Sequence, residues 1–481
     1  MKIYNSMTGK KEEFIPIEPN KVKMYACGIT VYDLSHIGHA RQAIAYAMVA
    51  DYLRYRGYDV TYVRNYTDVD DKIINTANKL GKDALEFSRE QIAETELDMR
   101  NLHVTDADIT PKASENIDNI IRLVQGLIEL GHAYATDKGD VYFSVRSFPE
   151  YGKLSKRRID ELLNGVRKDV EEGKHDPLDF ALWKSAKPGE ISWESPWGLG
   201  RPGWHIECSA MVLNNLGETI DIHGGGKDLV FPHHENEIAQ SEAYTGKQFA
   251  RYWSHCGLIK INGEKMSKSL GNSLTIRDAL KMYDYEVIKY VMFSKHYTSD
   301  MDLLDNDFSL AEKHMYYFYN VIKAIENFVS QYGGSVDGES VDGDISGNII
   351  PKFIEVMDDD FNTSAAISEL YGIFKYANNL MKTAKKANRV KVANTVAKIL
   401  ANVKEVYGIL GLFMQDPDDF IAKMKDKYLQ KTSVDVSYIE EQIALSAEAK
   451  KEKDFQKADA IRAELDKQGI ILSDTRDGVV W

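Results

Sequence analysis

An α/β fold with a parallel nucleotide-binding sheet, an insertion in that sheet, a helical bundle and a small C-terminal α+β unit is what the sequence predicts. Three observations predict it. Residues 21 to about 110 alternate strand-like and helical stretches. From about 112 to 200 the pattern changes to an amphipathic helix and a hairpin signal, and beyond Asp305 the periodicity is helical almost throughout. At 481 residues the chain is too long for one ordinary core. Its 43% hydrophobic and 28% charged content argues against extended disorder.

The elements follow in order. Val22 to Gly28 is an apolar strand-like stretch; a helical pattern from His39 to Arg56 stops at Gly57, and Val60 to Arg64 is a second strand. Between the first strand and the helix lies His36-Ile37-Gly38-His39. A strand, a turn and a helix N-terminus bring free backbone N–H groups and the positive end of a helix dipole to the sheet edge, where phosphates bind. Ile117, Ile120, Ile121, Val124, Leu127 and Ile128 mark one amphipathic helix, and Tyr134 to Val145 around Lys138-Gly139 a hairpin. Gly203 to about 250 returns to the sheet. Leu258 to Ile261 leads into the tight-turn pair Asn262-Gly263, so Lys265-Met266-Ser267-Lys268-Ser269 is expected on a loop able to close over a triphosphate. Gly333 to Gly338 separates helices, and Thr363 starts another. The tail reads as one helix from Ile439 to Lys467, a stop at Gly469 and a strand at Ile470 to Leu472. The division is 1–111 and 203–250 for the two halves of the sheet domain, 112–202 for the insertion, 251–305 for the lysine-loop region, 306–425 for the bundle and 435–481 for the C-terminal unit.

Composition excludes some classes. Met1-Lys2-Ile3-Tyr4-Asn5 opens no apolar signal segment, and no stretch approaches the roughly 20 apolar residues of a membrane span, so a cytoplasmic protein without a membrane partner is expected. Cys27, Cys208 and Cys256 are too few for a disulfide framework; reduced thiols able to hold metal are the expectation. The formal net charge of −14 runs against nucleic-acid binding, yet Lys375 to Lys391 and Lys450 to Lys457 concentrate basic residues. Each run reads either as a solvated helix face or as a nucleic-acid path. His233 and Glu237, four apart after Pro232, share one helix face, a spacing that suits two metal ligands.

The order and separation of His36-Ile37-Gly38-His39 and Lys265-Met266-Ser267-Lys268-Ser269 resemble the class I aminoacyl-tRNA synthetases. Further strings resemble the cysteinyl-tRNA synthetases along nearly the whole chain: Met24 to Asp33, Gly203-Trp204-His205-Ile206-Glu207-Cys208-Ser209-Ala210, Asp221-Ile222-His223-Gly224-Gly225-Gly226, and Phe231-Pro232-His233-His234-Glu235-Asn236-Glu237. The resemblance implies a Rossmann-like catalytic domain, activation of L-cysteine with ATP and Mg2+, and transfer to tRNA(Cys) read by an anticodon-binding tail. It implies His36, His39, Lys265 and Lys268 as charge-stabilising catalytic residues, with Gly38 beside His36, His39 and Lys268 at ATP. It also implies one Zn2+ per chain on Cys27, Cys208, His233 and Glu237. Zinc would select the thiol, because an alcohol ionises less readily and binds the soft metal more weakly.

Other roles stay open. Thr67 and Trp204 are either amino-acid contacts or ordinary packing, Asp228 meets a substrate amine or a ribose, and Gly224 to Gly226 is a flexible turn or a close approach to adenosine. His234 is assigned to the surroundings of the ligands and Cys256 to a small buried residue. A monomer is expected. A ligase joining cysteine to an amino sugar, a nucleotidylyltransferase and a non-catalytic RNA-binding paralogue are the competing readings. The first lacks a reason for the helical and C-terminal segments, the second lacks the thiol set, and the third has no use for an intact lysine loop. The tail departs from the family in Phe455, where some members carry tryptophan, and in Lys450, where others carry arginine.

Overall fold

The structure, a computed structural model, describes residues 1–158, 173–261, 263–265, 273–432, 435–468, 470, 472–475 and 478–480. The chain divides into two units, Met1–Met414 and Gln415–Trp481.

In the first unit a short hairpin, β1 (Lys2–Asn5) and β2 (Lys10–Glu13), leads into β3 (Lys21–Thr30), α1 (Ile37–Tyr55) and β4 (Asp59–Thr67). Helices α2 (Asp71–Leu80) and α3 (Ala84–Asn101) follow. The insertion comprises α4 (Ile117–Glu129) and an antiparallel sheet of β5 (Ala133–Ala135), β6 (Val141–Phe143), β7 (Phe180–Ser185) and β8 (Gly200–Pro202), in that order. The chain then re-enters the main sheet through α5 (Trp204–Asn215), β9 (Ile220–Gly226), α6 (Glu235–Thr245) and β10 (Ala250–Cys256).

The main sheet is parallel throughout, in the order β10-β9-β3-β4. Strands buried on both faces read as continuous apolar runs. Met24, Tyr25, Ala26 and Cys27 of β3 are all buried, and Tyr25 lies level with His223 on one side and Val63 on the other. The ladder between β3 and β4 slips between Ala26 and Ile29. Such a bulge re-aims the residues it contains. Here it turns Cys27 and Gly28 out of the regular pleat at the carboxyl edge. A Cβ at Gly28 would lie 1.6 Å from the Asn65 carbonyl oxygen, so only glycine fits. Gly28→Ala is therefore expected to destabilise the protein by about 1–3 kcal/mol through overpacking. A fall in the urea midpoint without a change in slope would register it.

Helix α1 starts at Ile37 with His36 as its N-cap, two residues before the expected His39, and ends at Tyr55 with Arg56 as its C-cap before Gly57. It is buried on most of its circumference because it lies against the sheet and the elements that follow. Past β10 the chain forms β11 (Ile259–Ile261) and β12 (Glu264–Lys265), an antiparallel pair with Lys265 opposite Lys260. Lys265 thus ends a hairpin strand rather than lying on a loop. Lys268, with Met266, Ser267 and Ser269, lies outside the described residues. Helices α7 (Ile276–Met282) and α8 (Tyr285–Phe293) precede β13 (Met301–Leu303), which pairs parallel to β11. The bundle is α9 (Asp305–Tyr332), α10 (Ser346–Met357), α11 (Thr363–Lys382) and α12 (Arg389–Gly408).

The second unit corrects one reading. The single tail helix is two, Val436–Lys451 and Phe455–Lys467, broken where Lys453 adopts φ +63°. Asp454 then caps the second helix by accepting from the Lys457 N–H at 3.1 Å. The strand expected at Ile470 to Leu472 lies instead at Ser473–Thr475, paired with Gly478–Val480. Gly469, Ile471 and Trp481 are outside the described residues. Ile439, Leu465 and Ile470 form the small core.

Candidate active site and metal centre

Cys27 from the β3 bulge, Cys208 from the second turn of α5, and His233 and Glu237 at the entry to α6 meet in one buried cluster. One donor atom from each lies within 4.8 Å of the others. Cys27 Sγ is 3.9 Å from Cys208 Sγ and 3.4 Å from Glu237 Oε1. His233 Nε2 is 2.9 Å from the same Glu237 oxygen. The regular helix begins at Glu235, so His233 belongs to the preceding Val230–His234 turn, yet it still reaches one turn forward to Glu237.

The electrostatics favour a cation. The Cys27 thiol donates toward Cys208 and brings that thiol down to about 6 against the opposing effect of burial, while burial first and Cys208 second push Cys27 well above its usual range. Burial would raise Glu237, but His223 and His233 outweigh it and hold the carboxyl well below its usual range. Burial pulls His233 down, and Glu237 and Cys208 overcome it, carrying the imidazole up to about 10. A thiolate and a carboxylate thus converge where no solvent reaches. Two thiols, an imidazole and a carboxylate at these separations fit the tetrahedral N/S/O set that zinc takes.

A shell missed by motif reading orients these groups. His205 Nδ1 lies 2.9 Å from His233 Nδ1, leaving Nε2 as the nitrogen turned to Glu237 and Cys208. Burial lowers His205 well below its usual value, so it is a neutral partner there. His223 Nε2 holds the other Glu237 oxygen, Oε2, at 2.8 Å. Side chains that fix metal-ligand orientation in this way are second only to the ligands themselves. His234, expected beside the ligands, bonds His255 at 2.8 Å, and His255 bonds the Ser6 hydroxyl at 2.8 Å. Cys27, His223 and His234 form a second possible metal group; His223 Nε2 is taken by Glu237 and His234 Nδ1 by His255, while His223 Nδ1 and His234 Nε2 are buried without a hydrogen-bond partner. Cys256 is a buried thiol that burial pushes up to about 11, as suits an inert core residue.

The His36–His39 turn stands at the same sheet edge. His36 Nδ1 accepts from the Gly38 and His39 N–H groups at 3.1 and 3.3 Å, and His39 Nδ1 accepts from the His36 N–H at 3.3 Å. Their rings stack 3.6 Å apart. Because each Nδ1 is an acceptor, each neutral ring carries its proton on Nε2, which makes that edge the donor. Gln42 links the helix to β3 by donating to the Cys27 carbonyl at 2.6 Å.

Trp204 stacks on His233 with centroids 4.4 Å apart and remains 38% exposed, which places it at the mouth of the cluster. Thr67 is buried at the end of β4, 3.5 Å from the Asn65 amide that donates to it. Asp228 lies on the Lys227–Leu229 turn after the glycine run.

Residues 13–313 match the family model for the class I (C) tRNA synthetase catalytic domain, and residues 352–414 match the DALR domain. A cysteine–tRNA ligase of Thermodesulfovibrio yellowstonii is 48% identical over 100% of this chain and 99% of its own length. One of Syntrophotalea carbinolica is 50% identical with the same coverage. The chain belongs to the cysteine–tRNA ligases. Solved structures agree at the level of fold. The Mycobacterium tuberculosis methionyl-tRNA synthetase in complex with methionyl-adenylate has a TM-score of 0.62 at 14% identity, covering 84% of this chain and 96% of its own. A putative arginyl tRNA synthetase from Campylobacter jejuni has a TM-score of 0.59 at 12% identity, covering 82% and 94%. In this cysteine–tRNA ligase no helix among the described residues is long and apolar enough to cross a membrane.

Proposed function

We propose that this ligase activates L-cysteine with ATP at the sheet edge and passes the cysteinyl group to the terminal adenosine of tRNA(Cys). The observation that carries this reading is the buried Cys27, Cys208, His233 and Glu237 cluster, set beside the His36 turn in a chain that matches cysteine–tRNA ligases from end to end. These four residues would hold one zinc per chain. Bound zinc supplies selection, taking a thiol as thiolate where the near-isosteric hydroxyl of serine is a poor ligand.

The rest is positioning. The substrate carboxylate attacks the ATP α-phosphate, the bond from the α-phosphorus to the bridging oxygen breaks and pyrophosphate leaves; Mg2+ bound to the phosphates would neutralise their charge. His36 and His39, through Nε2–H, and Gly38, through its place in the first turn of α1, meet the phosphates at a helix N-terminus. Lys265 and Lys268 supply the cations. Trp204 and Thr67 border the amino acid. The tRNA hydroxyl then displaces AMP, and no protein nucleophile is needed. The bundle and the C-terminal unit bind tRNA, the tail reading the anticodon; the chain acts as a monomer in the cytoplasm.

Cysteine-dependent ATP–pyrophosphate exchange on the purified protein, with serine as competitor, tests the reading; exchange that serine supports equally would overturn it. Deleting residues 415–481 is expected to spare this exchange and to raise the tRNA concentration needed for cysteinylation, because an anticodon lies far from the acceptor end and needs a remote reader. Steady-state kinetics of both half-reactions on the folded, zinc-loaded truncation check it.

A further inference from the structure

Arg41 sits one residue past the His39–Ala40 peptide on α1 and is 2% exposed. It makes no salt bridge among the described residues. Its guanidinium instead spends its donors on main-chain oxygens of a different part of the chain. Nη1 donates to the Leu258 carbonyl at 3.3 Å; Nη2 donates to the His296 carbonyl at 3.3 Å and to that of Ser299. Leu258 immediately precedes β11, while His296 and Ser299 lie between α8 and β13, the strand that pairs with β11, so Arg41 grips both strands at the start of the sheet whose hairpin ends in Lys265. Gly257 shapes this root: a Cβ there would lie 2.1 Å from the Ser299 oxygen.

A buried cation bound only to neutral carbonyls is an expensive choice for stability, since burial without a counter-charge disfavours the charged form. Burial does pull the Arg41 pKa down, and Cys256 and Asp300 offset it only in part. Nε finds no partner. A well-packed apolar residue would serve the core better, so the arrangement calls for another reason. The far side of the same segment supplies it. The Ile37 N–H donates to the Leu274 carbonyl at 2.9 Å, and the Ile276 N–H to the Ser35 carbonyl at 3.0 Å. The stretch between Leu258 and Leu274 is therefore fastened to the start of α1 at both ends, by the Arg41 bond to Leu258 before it and by a backbone bridge after it.

We propose that Arg41 is a positioning residue that sets the spacing between the His36/His39 helix turn and the hairpin strand ending in Lys265, so that His36, His39 and Lys265 meet the same triphosphate. This inference rests on the activity proposed above. The planar fork of arginine reaches three carbonyls at once, whereas lysine offers its donors from a single atom. Arg41→Lys keeps charge and length, and Arg41→Met removes both the charge and the fork. In both, single-turnover adenylate formation is expected to slow by about 10- to 100-fold, the scale of a misplacement of about 1 Å away from the chemistry. Zinc content and the dissociation constant for cysteine should stay within about two-fold, because neither depends on the hairpin.

A double-mutant cycle separates positioning from mere structural damage. In a Lys265→Ala background, Arg41→Lys should slow the reaction by far less than it does alone, since the group it positions is gone. Equal slowing in both backgrounds would overturn the proposal, as would an unchanged rate, or a loss of rate that only tracks lost zinc or a lowered melting temperature. If Arg41→Met fails to fold, Arg41→Lys alone decides. Failure of the parent activity itself is distinguishable, because unmodified protein would then show no cysteine-dependent pyrophosphate exchange.

Discussion

Cys208→Ser is expected to leave the purified protein with well under one zinc per chain and to weaken cysteine-dependent activation sharply, while Cys256→Ser changes neither. The Cys208 thiol is the donor of the cluster whose surroundings most favour thiolate, lowered to about 6 by the hydrogen bond from Cys27. A serine hydroxyl in that place stays protonated and is a weaker ligand for a soft metal. Altering a group that merely orients a ligand costs about 10–100-fold in metal affinity, and a lost ligand should cost at least as much. Cys256 belongs to neither ligand group, and burial pushes its thiol up to about 11. Elemental analysis of the two variants beside the parent, with a cysteine titration, reads the result. Full zinc retention by Cys208→Ser would remove it from the ligand set.

His36→Asn is expected to keep the melting temperature and lose the rate. The His36 ring caps α1 through Nδ1, accepting from Gly38 and His39. Asparagine ranks with the best N-cap residues and can accept the same N–H groups, so helix stability is preserved. It cannot replace the imidazole Nε2–H in the phosphate contact proposed above. Removing one such preorganised donor typically costs about 10²–10³ in rate. Rapid-quench measurement of adenylate formation at saturating substrates, with cysteine affinity unchanged, is the check. A melting temperature that fell together with the rate would show that the ring's main role is the cap.

The sequence made legible what local chemistry controls. Helix α1 could be placed because a strand, a turn and a terminal glycine follow one another within a few dozen residues, though the His36 cap starts it at Ile37, two residues before the expected His39. The four-residue spacing of His233 and Glu237 survives even though the helix proper starts only at Glu235. What stayed hidden depends on groups brought together from afar. His205 and His223 hold His233 and Glu237 through contacts between α5, β9 and the start of α6. No spacing along the chain announces such pairs; only the alternation of β9, once its partners are known, puts His223 on the side of Glu237. The slip at Cys27 was equally unreadable, because a bulge is a property of two strands. The break in the tail helix at Lys453 escaped because a lysine at positive φ leaves no mark in periodicity, whereas a glycine would have.

The strand order has a consequence for the life of the chain on the ribosome. Strand β3 is an inner strand in the finished sheet, flanked by β4 and β9, yet β9 is encoded only after the whole insertion. At about 5–20 residues per second, one long side of β3 waits on the order of ten to forty seconds for its partner. During that interval Met24, Tyr25 and Ala26 present an apolar strand with unpaired backbone groups, the kind of edge that seeds association between neighbouring chains. The thiol of Cys27 is born into the same half-built sheet, and the metal cluster cannot close until Glu237 has emerged. Slow translation should therefore show first as aggregation of nascent chains rather than as loss of activity in the finished protein.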